Sequence, residues 1–174
     1  TRDLLRYWFV DAFCDSRRFN FHIGQKQAIL NTIYVHEVLR INTVVDIYAS
    51  VKPSLDLEMD FSILEKEKYQ YPKYCLKMAT GTGKTWVLSA LLIWQYLNAK
   101  HESKPSQRYS KNFLLVAPGL IVYDRLLDSF LGKETISGTR NFETSDMKKN
   151  ESLFIPPAYK EIVYSFVQNS VVTK

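Results

Sequence analysis

The stretch KMATGTGKTWVLSALLIW, residues 77–94, places a glycine-rich loop directly before a long apolar run. A short apolar segment, residues 74–79, precedes the loop and is predicted to be a strand. The run after the loop is apolar nearly all round and is predicted to be a buried helix. The order of strand, loop and helix, followed by a second strand and helix, predicts an α/β fold with a parallel sheet covered by helices on both faces.

The loop ends in Gly83, Lys84 and Thr85, the last three positions of the phosphate-binding pattern G-x-x-x-x-G-K-[ST]. Met78 occupies the first position, where the strict pattern has glycine. Glycines allow the backbone to turn successive N–H groups around an anion, and the helix that follows adds the positive end of its dipole. A glycine-rich turn without a ligand is the alternative. The residues predicted to bind the nucleotide are Thr80, Gly81, Thr82, Gly83, Lys84 and Thr85.

Two side chains of this loop have individual chemical roles in the prediction. Lys84 is the candidate catalytic residue, because its ammonium group can reach the β- and γ-phosphates. Thr85 is the candidate metal ligand, because its hydroxyl can bind a Mg²⁺ ion that bridges phosphate oxygens. The predicted cofactors are therefore ATP and Mg²⁺.

A second apolar segment, residues 112–118, is predicted to be a strand that ends at Pro118 and Gly119. Residues 120–131, LIVYDRLLDSFL, have helical apolar spacing and are predicted to be a helix with Asp124 exposed. The alternative is that LIVY is a strand that delivers Asp124 to magnesium. Arg125 then stands where such a site needs a carboxylate, which favours the helix.

The pattern of apolar, polar and proline residues divides the whole chain into three regions. Residues 1–50 are predicted to be helical, with helices at 2–13 and from Gln25 to about Arg40. Residues 51–73 contain two prolines and mixed charge and are predicted to be a connector. Residues 74–174 are predicted to be the first part of an ATP-binding α/β domain, with a polar, mobile segment at 132–152 and a final helix at 159–172.

Composition sets limits on the class of protein. With 174 residues and 46 % apolar residues, the chain is long and apolar enough for one domain with a core, which excludes a disordered protein. The net charge of +5 favours an anionic partner, although a basic surface without function is the alternative. His22, His36 and His101 are scattered, without metal-ligand spacing, and are interpreted as core or surface residues.

The location is also an expectation from composition. Two distant cysteines do not form a disulfide framework, and the sequence has neither a leader nor an apolar run of 18 residues. A cytoplasmic protein without membrane contact is therefore expected. Because the first residue is Thr1, we expect the chain to be a piece of a longer protein.

Three segments carry a family resemblance. MATGTGKT, residues 78–85, resembles motif I of the superfamily 2 helicases of DEAD/DEAH type, and more narrowly that of the restriction (Res) subunit of type III restriction enzymes. Residues 112–132 resemble motif Ia of that family, and FHIGQKQAI, residues 21–29, resembles its Q-x-x-A-I element. The resemblance implies a RecA-like fold. It further implies that Gln25 reads the adenine edge and that Gly119 and Arg125 lie near the nucleic-acid backbone.

The function implied by the resemblance is that of an ATP-driven helicase or translocase subunit of a restriction endonuclease. Its partners would be double-stranded DNA and a modification methyltransferase. The D-E-x-H run of the family does not occur in these 174 residues, so we expect this stretch alone to be inactive. The alternatives are a P-loop small-molecule kinase, which more often keeps the first glycine, and a nucleotide-binding module without turnover.

Overall fold

In a computed structural model of the protein, the apolar run after the glycine loop forms an 18-residue helix, Lys84–His101. The structure describes residues 1–41, 43, 46, 50, 73–103 and 108–170. The chain divides into two units. Unit 1 consists of Thr1–Lys26 and Gly81–Lys174, and unit 2 consists of Gln27–Thr80.

Helices dominate the described part of the chain. Its α-helices are α1 (Arg2–Phe9), α2 (Asp11–Cys14), α3 (Ile23–Ile33), α4 (Lys84–His101), α5 (Leu120–Leu131), α6 (Asp146–Lys149), α7 (Glu151–Phe154) and α8 (Lys160–Ser170). A π-helix spans Tyr34–Leu39, and 3-10 helices span Phe142–Thr144 and Pro157–Tyr159. The two strands are β1 (Lys133–Glu134) and β2 (Arg140–Asn141).

The predicted N-terminal helix is present but interrupted. Val10 has extended backbone angles, φ −87° and ψ 131°, and separates α1 from α2. Trp8 is completely buried, and its indole N–H donates to the Phe154 carbonyl oxygen at 2.9 Å. The Tyr7 hydroxyl donates to the Ser152 carbonyl oxygen at 2.6 Å. The first helix of unit 1 is therefore held against α7.

Helix α4 is the central element of unit 1, and its predicted burial is confirmed. Lys100 and His101 lie in its last turn, where positive charge complements the helix dipole. None of the helices in the described part of the chain is long and apolar enough to cross a membrane. The buried residues of α4 are Val87, Ser89, Ala90, Ile93, Trp94, Leu97 and Ala99.

The helix predicted from Gln25 to about Arg40 is confirmed in extent and changes type along its length. It begins as α3 at Ile23 and continues through the π-helix to Leu39. Arg40 ends it in the left-handed conformation, φ 53°. Within unit 2, Ile29, Ile33 and Ile41 are buried. The predicted connector at 51–73 lies almost entirely outside the described residues.

The two predicted strands are not observed as strands. Residues 74–79 and 112–118 carry no strand pairing in the described part of the chain. Leu114 and Val116 are 88 % and 81 % exposed, so these apolar side chains lack the neighbouring layers that a parallel sheet supplies. Within the described residues, the sheet consists of β1 and β2 alone, which are antiparallel. The parallel sheet therefore stays a prediction.

The prediction of a mobile polar segment at 132–152 is wrong, because the structure shows ordered elements there. Arg140 forms a 2.8 Å ion pair with Asp128 and donates to the Gly132 carbonyl oxygen at 2.8 Å. Gly132 has φ 84°, and a Cβ there would overlap the Asn141 carbonyl oxygen. The buried Ser145 hydroxyl accepts the Lys148 N–H at 3.1 Å and caps α6. Gly132 and the Ser145 cap thus allow β1, β2 and α6 to pack closely against the end of α5.

Glu151 joins three elements at the end of unit 1. Its carboxylate forms ion pairs with Lys160 at 2.8 Å and with Lys148 at 3.1 Å, and it accepts the Tyr164 hydroxyl. The hydrogen bond from Lys160, followed by those from Tyr164 and Lys148, lowers the pKa of Glu151 from 4.5 to about 2. Burial, together with the bond to Glu151, raises the pKa of Tyr164. The charged form of Glu151 therefore stabilises the fold.

We expect Glu151→Gln to lower the free energy of unfolding at pH 7 by about 1–2 kcal/mol, a value reduced for solvent screening. A lowered pKa stabilises the folded state fully above pH 4.5, and this contribution is lost as the pH falls toward about 2. The two proteins should therefore converge in stability between these pH values. Urea unfolding across a pH series measures this, with the exposed Glu134→Gln as control. An unfolding difference that persists unchanged at pH 2 would contradict the electrostatic explanation.

Candidate nucleotide-binding site

The glycine loop of unit 1 leads directly into α4. Gly81 and Gly83 have φ angles of 79° and 71°, in the left-handed region that side chains disfavour. The Gly83 carbonyl oxygen accepts the Trp86 N–H at 2.9 Å and closes the first helical turn. Lys84 is the first residue of the helix. Both glycines are therefore required by backbone geometry at the point where the loop turns into the helix.

This geometry is suited to an anion. The first N–H groups of a helix have no carbonyl partner within the helix, and the dipole of α4 places partial positive charge at the same end. The Lys84 side chain is exposed and Thr85 is half-buried. Thr80 is exposed and belongs to unit 2, whereas the other predicted loop residues belong to unit 1.

Gln25 lies against the loop and is only 3 % exposed. Its side-chain oxygen accepts the His22 backbone N–H at 3.1 Å, and its Nε2 donates to the carbonyl oxygens of Thr82 and Gly83 at 3.2 and 3.4 Å. A Cβ on Gly83 would overlap Nε2 of Gln25. The structure thus brings Gln25 to the loop, where its amide bonds to the main chain. That Gln25 reads adenine stays a prediction.

An aromatic cluster lies beside the loop and was not foreseen from the sequence. The Trp86 ring, two residues after Lys84, makes edge contacts with Phe154 at 5.8 Å and with Phe19 at 6.5 Å between ring centroids. Phe21 makes a similar contact with Phe154 at 6.0 Å. These rings pack the first turn of α4 against residues 19–21 and against Phe154 in α7. The N-terminal residues 19–26 thereby support the loop from a distant part of the sequence.

His22 is the second unforeseen neighbour of the loop. The sequence predicted a core or surface histidine, and His22 is exposed. The structure adds that its Nε2 lies 3.0 Å from the Thr82 carbonyl oxygen. Its Nδ1 accepts the N–H of Gly24 at 3.1 Å. Its place three residues before Gln25, at the start of a helix, was the one signal available in the sequence, because that is where polar caps occur.

The two candidate nucleic-acid residues lie at and after the start of α5. Gly119 is exposed and precedes the first helical residue with an extended backbone, φ −178°. Arg125 is exposed within α5. The predicted helix is confirmed, and Asp124 is exposed on it, so the alternative of a strand carrying a magnesium ligand is wrong. Contact of Gly119 and Arg125 with DNA stays a prediction.

A glycine loop with two left-handed residues at the N-terminus of a buried helix is typical of phosphate-binding proteins. The sequence matches the family described as type III restriction enzyme, res subunit, over residues 19–169. That match covers most of the chain, and the chain belongs to this family. The family points to an ATP-dependent, helicase-like hydrolase of restriction enzymes with a RecA-like fold. Comparison with curated proteins and with solved structures gave no match.

Proposed function

We propose that the chain is the ATP-binding part of a DNA translocase subunit in a type III-like restriction enzyme. The observation that carries this proposal is the geometry of the loop. Gly81 and Gly83 both adopt left-handed conformations immediately before α4, so the loop backbone and the helix N-terminus can bind the same phosphate group. Family membership supports the choice of ATP as the nucleotide.

Each loop residue has a distinct role in this proposal. Lys84, exposed at the first position of α4, neutralises charge on the β- and γ-phosphates. Thr85 would supply a hydroxyl ligand to a Mg²⁺ ion, which would neutralise part of the phosphate charge. Thr82 completes the part of the loop that lies in unit 1, and Gln25 holds its backbone through the bonds described above. Lys84 therefore acts by electrostatic stabilisation and not by proton transfer.

The wider function concerns DNA. ATP binding and hydrolysis would drive movement on double-stranded DNA, with Gly119 and Arg125 beside the phosphate backbone and a modification methyltransferase as partner subunit. Contacts with the DNA backbone position a protein without reading the base sequence. A subunit that moves along DNA requires such contacts. The net charge of +5 is in keeping with a polyanionic partner.

We expect the 174-residue chain to bind Mg-ATP and not to hydrolyse it. No D-E-x-H run occurs in this sequence, and an arginine supplied from another domain is worth about 10³–10⁵ in rate. Calorimetry in Mg²⁺ and in EDTA tests binding, and phosphate release with and without duplex DNA tests turnover. Binding that is equal in EDTA would contradict the metal role of Thr85. Transfer of phosphate to a small molecule would instead support a kinase.

We expect weak, sequence-independent DNA binding, near the non-specific range of about 10⁻⁴–10⁻⁶ M at physiological salt. Arg125→Glu should weaken binding and flatten its salt dependence, because fewer counterions are released. Arg2→Glu, at an exposed position in α1, is the matched control. Fluorescence anisotropy with two unrelated duplexes across a salt series measures both effects. Strong preference for one duplex, or no binding at low salt, would contradict this part of the proposal.

A further inference from the structure

We propose that His22 is a positioning residue for the phosphate loop, acting through the Thr82 carbonyl group. This inference rests on the proposed nucleotide function of the loop. His22 immediately precedes α3, 60 residues away from Thr82 in the sequence, and both belong to unit 1. Its imidazole is in contact with the loop backbone and with the start of the helix that carries Gln25.

The bonds of His22 define its tautomer. Nδ1 accepts the N–H groups of Gly24 at 3.1 Å and of Gln25 at 3.4 Å, so this nitrogen carries no proton. In a neutral imidazole the proton is then on Nε2. Nε2 therefore donates to the Thr82 carbonyl oxygen, 3.0 Å away. One side of the ring caps α3, and the other side holds the loop.

The Thr82 carbonyl group receives a second donor from Gln25, whose Nε2 is 3.2 Å away. A trans peptide is planar, with its C=O and N–H pointing in opposite directions. Two donors on the Thr82 oxygen therefore fix the plane of the Thr82–Gly83 peptide and direct the Gly83 N–H away from His22. The Gln25 bond to the Gly83 oxygen orients the next peptide, which carries the Lys84 N–H, in the same way. These two N–H groups are the ones that would donate hydrogen bonds to a phosphate.

Two glycines leave room for the His22 and Gln25 side chains that contact the loop. A Cβ on Gly24 would lie 3.1 Å from Cε1 of the His22 ring, closer than ordinary contacts. The absent side chain at Gly24 therefore lets the imidazole fold back over the helix start. Gly83 likewise leaves room for the Gln25 amide. Two glycines from separate parts of the sequence thus make room for the two side chains that hold the Thr82 carbonyl group.

Two substitutions separate the two halves of the imidazole. His22→Gln can place an amide N–H near the position of Nε2 and retain the bond to Thr82, while it loses the cap. His22→Asn retains a good cap at a helix N-terminus but is too short to reach Thr82. If His22 positions the loop, His22→Asn should weaken Mg-ADP binding about five- to tenfold, and His22→Gln should stay within about twofold of the wild type. If His22 only caps α3, His22→Gln should weaken Mg-ADP binding more than His22→Asn does.

The test is calorimetric titration of the 174-residue chain with Mg-ADP, comparing both His22 variants with Lys84→Ala. Melting temperatures are recorded for each variant, because His22→Asn should preserve stability better than His22→Gln. The proposal is supported when His22→Asn binds weakly at near-normal stability and His22→Gln binds normally. It is overturned when His22→Asn binds normally, or when both variants lose affinity in proportion to their loss of stability. If Lys84→Ala also binds normally, the proposed nucleotide function itself fails.

Discussion

Replacing Lys84 with alanine is expected to weaken Mg-ATP binding about 10–100-fold, since hydrogen bonds to charged groups contribute about 1.5–3 kcal/mol. Lys84 is exposed at the first position of α4, where its charge adds to that of the helix N-terminus. The substitution introduces alanine, which is the best helix former, so the helix should persist. Calorimetry with Mg-ATP measures the loss, and circular dichroism confirms the helix.

Lys100→Ala is the matched control for this experiment. It removes the same charge from the same helix, at an exposed position in the last turn. If the effect of Lys84 is local, Lys100→Ala should leave Mg-ATP affinity within about twofold, because exposed charges farther apart than about 10 Å are largely screened at 0.1 M salt. Equal losses in the two variants would show that net charge, and not the loop, determines binding.

Replacing Gly83 with alanine is expected to lower the free energy of unfolding by about 2–5 kcal/mol. The left-handed conformation, φ 71°, costs a side chain about 1–2 kcal/mol, and overlap with the Gln25 amide adds about 1–3 kcal/mol. Gly81→Ala is the control, because its φ is 79° but, apart from its chain neighbours, no atom of the described residues lies within 4 Å of the added Cβ. The difference between the two variants therefore measures the packing of Gln25 against the loop.

Urea unfolding of the nucleotide-free protein gives this difference directly. A third variant, Gly83→Ala with Gln25→Ala, should recover part of the stability lost by Gly83→Ala, because the overlapping amide is removed. If Gly83→Ala and Gly81→Ala are equally destabilised and the third variant recovers nothing, Gln25 does not support the loop. The same result would weaken the argument for His22, which shares the Thr82 carbonyl group with Gln25.

Helices with strong local signals were predictable from the sequence. The apolar run after Lys84 and the spacing of residues 120–131 predicted α4 and α5, because an amphipathic or buried helix is encoded within one segment. The position of the glycines in the loop was predictable for the same reason, since Gly81 and Gly83 serve a local backbone requirement. The break at Val10 was not, because apolar residues continue across it without a change of period.

Features that depend on distant partners were not predictable. Residues 112–118 have the composition of a strand, yet a strand also needs a neighbouring strand, and Leu114 remains exposed. Residues 132–152 are polar, but the Arg140–Asp128 ion pair and the Ser145 cap order them through contacts that polarity does not reveal. The bond from His22 to Thr82 crosses 60 residues and has no pattern of its own.

The central claim is that the backbone of residues 81–85 binds the phosphate groups of a nucleotide. Titration of the ¹⁵N-labelled chain with Mg-ADP, followed by amide NMR, tests it most directly, and only six glycines need to be distinguished in the glycine region of the spectrum. We predict that the largest amide shifts occur at Gly81, Gly83, Lys84 and Thr85, and that Lys84→Ala moves the midpoint of the titration to a ligand concentration about 10–100-fold higher. Saturable shifts that cluster elsewhere while these four amides stay unchanged would contradict the claim.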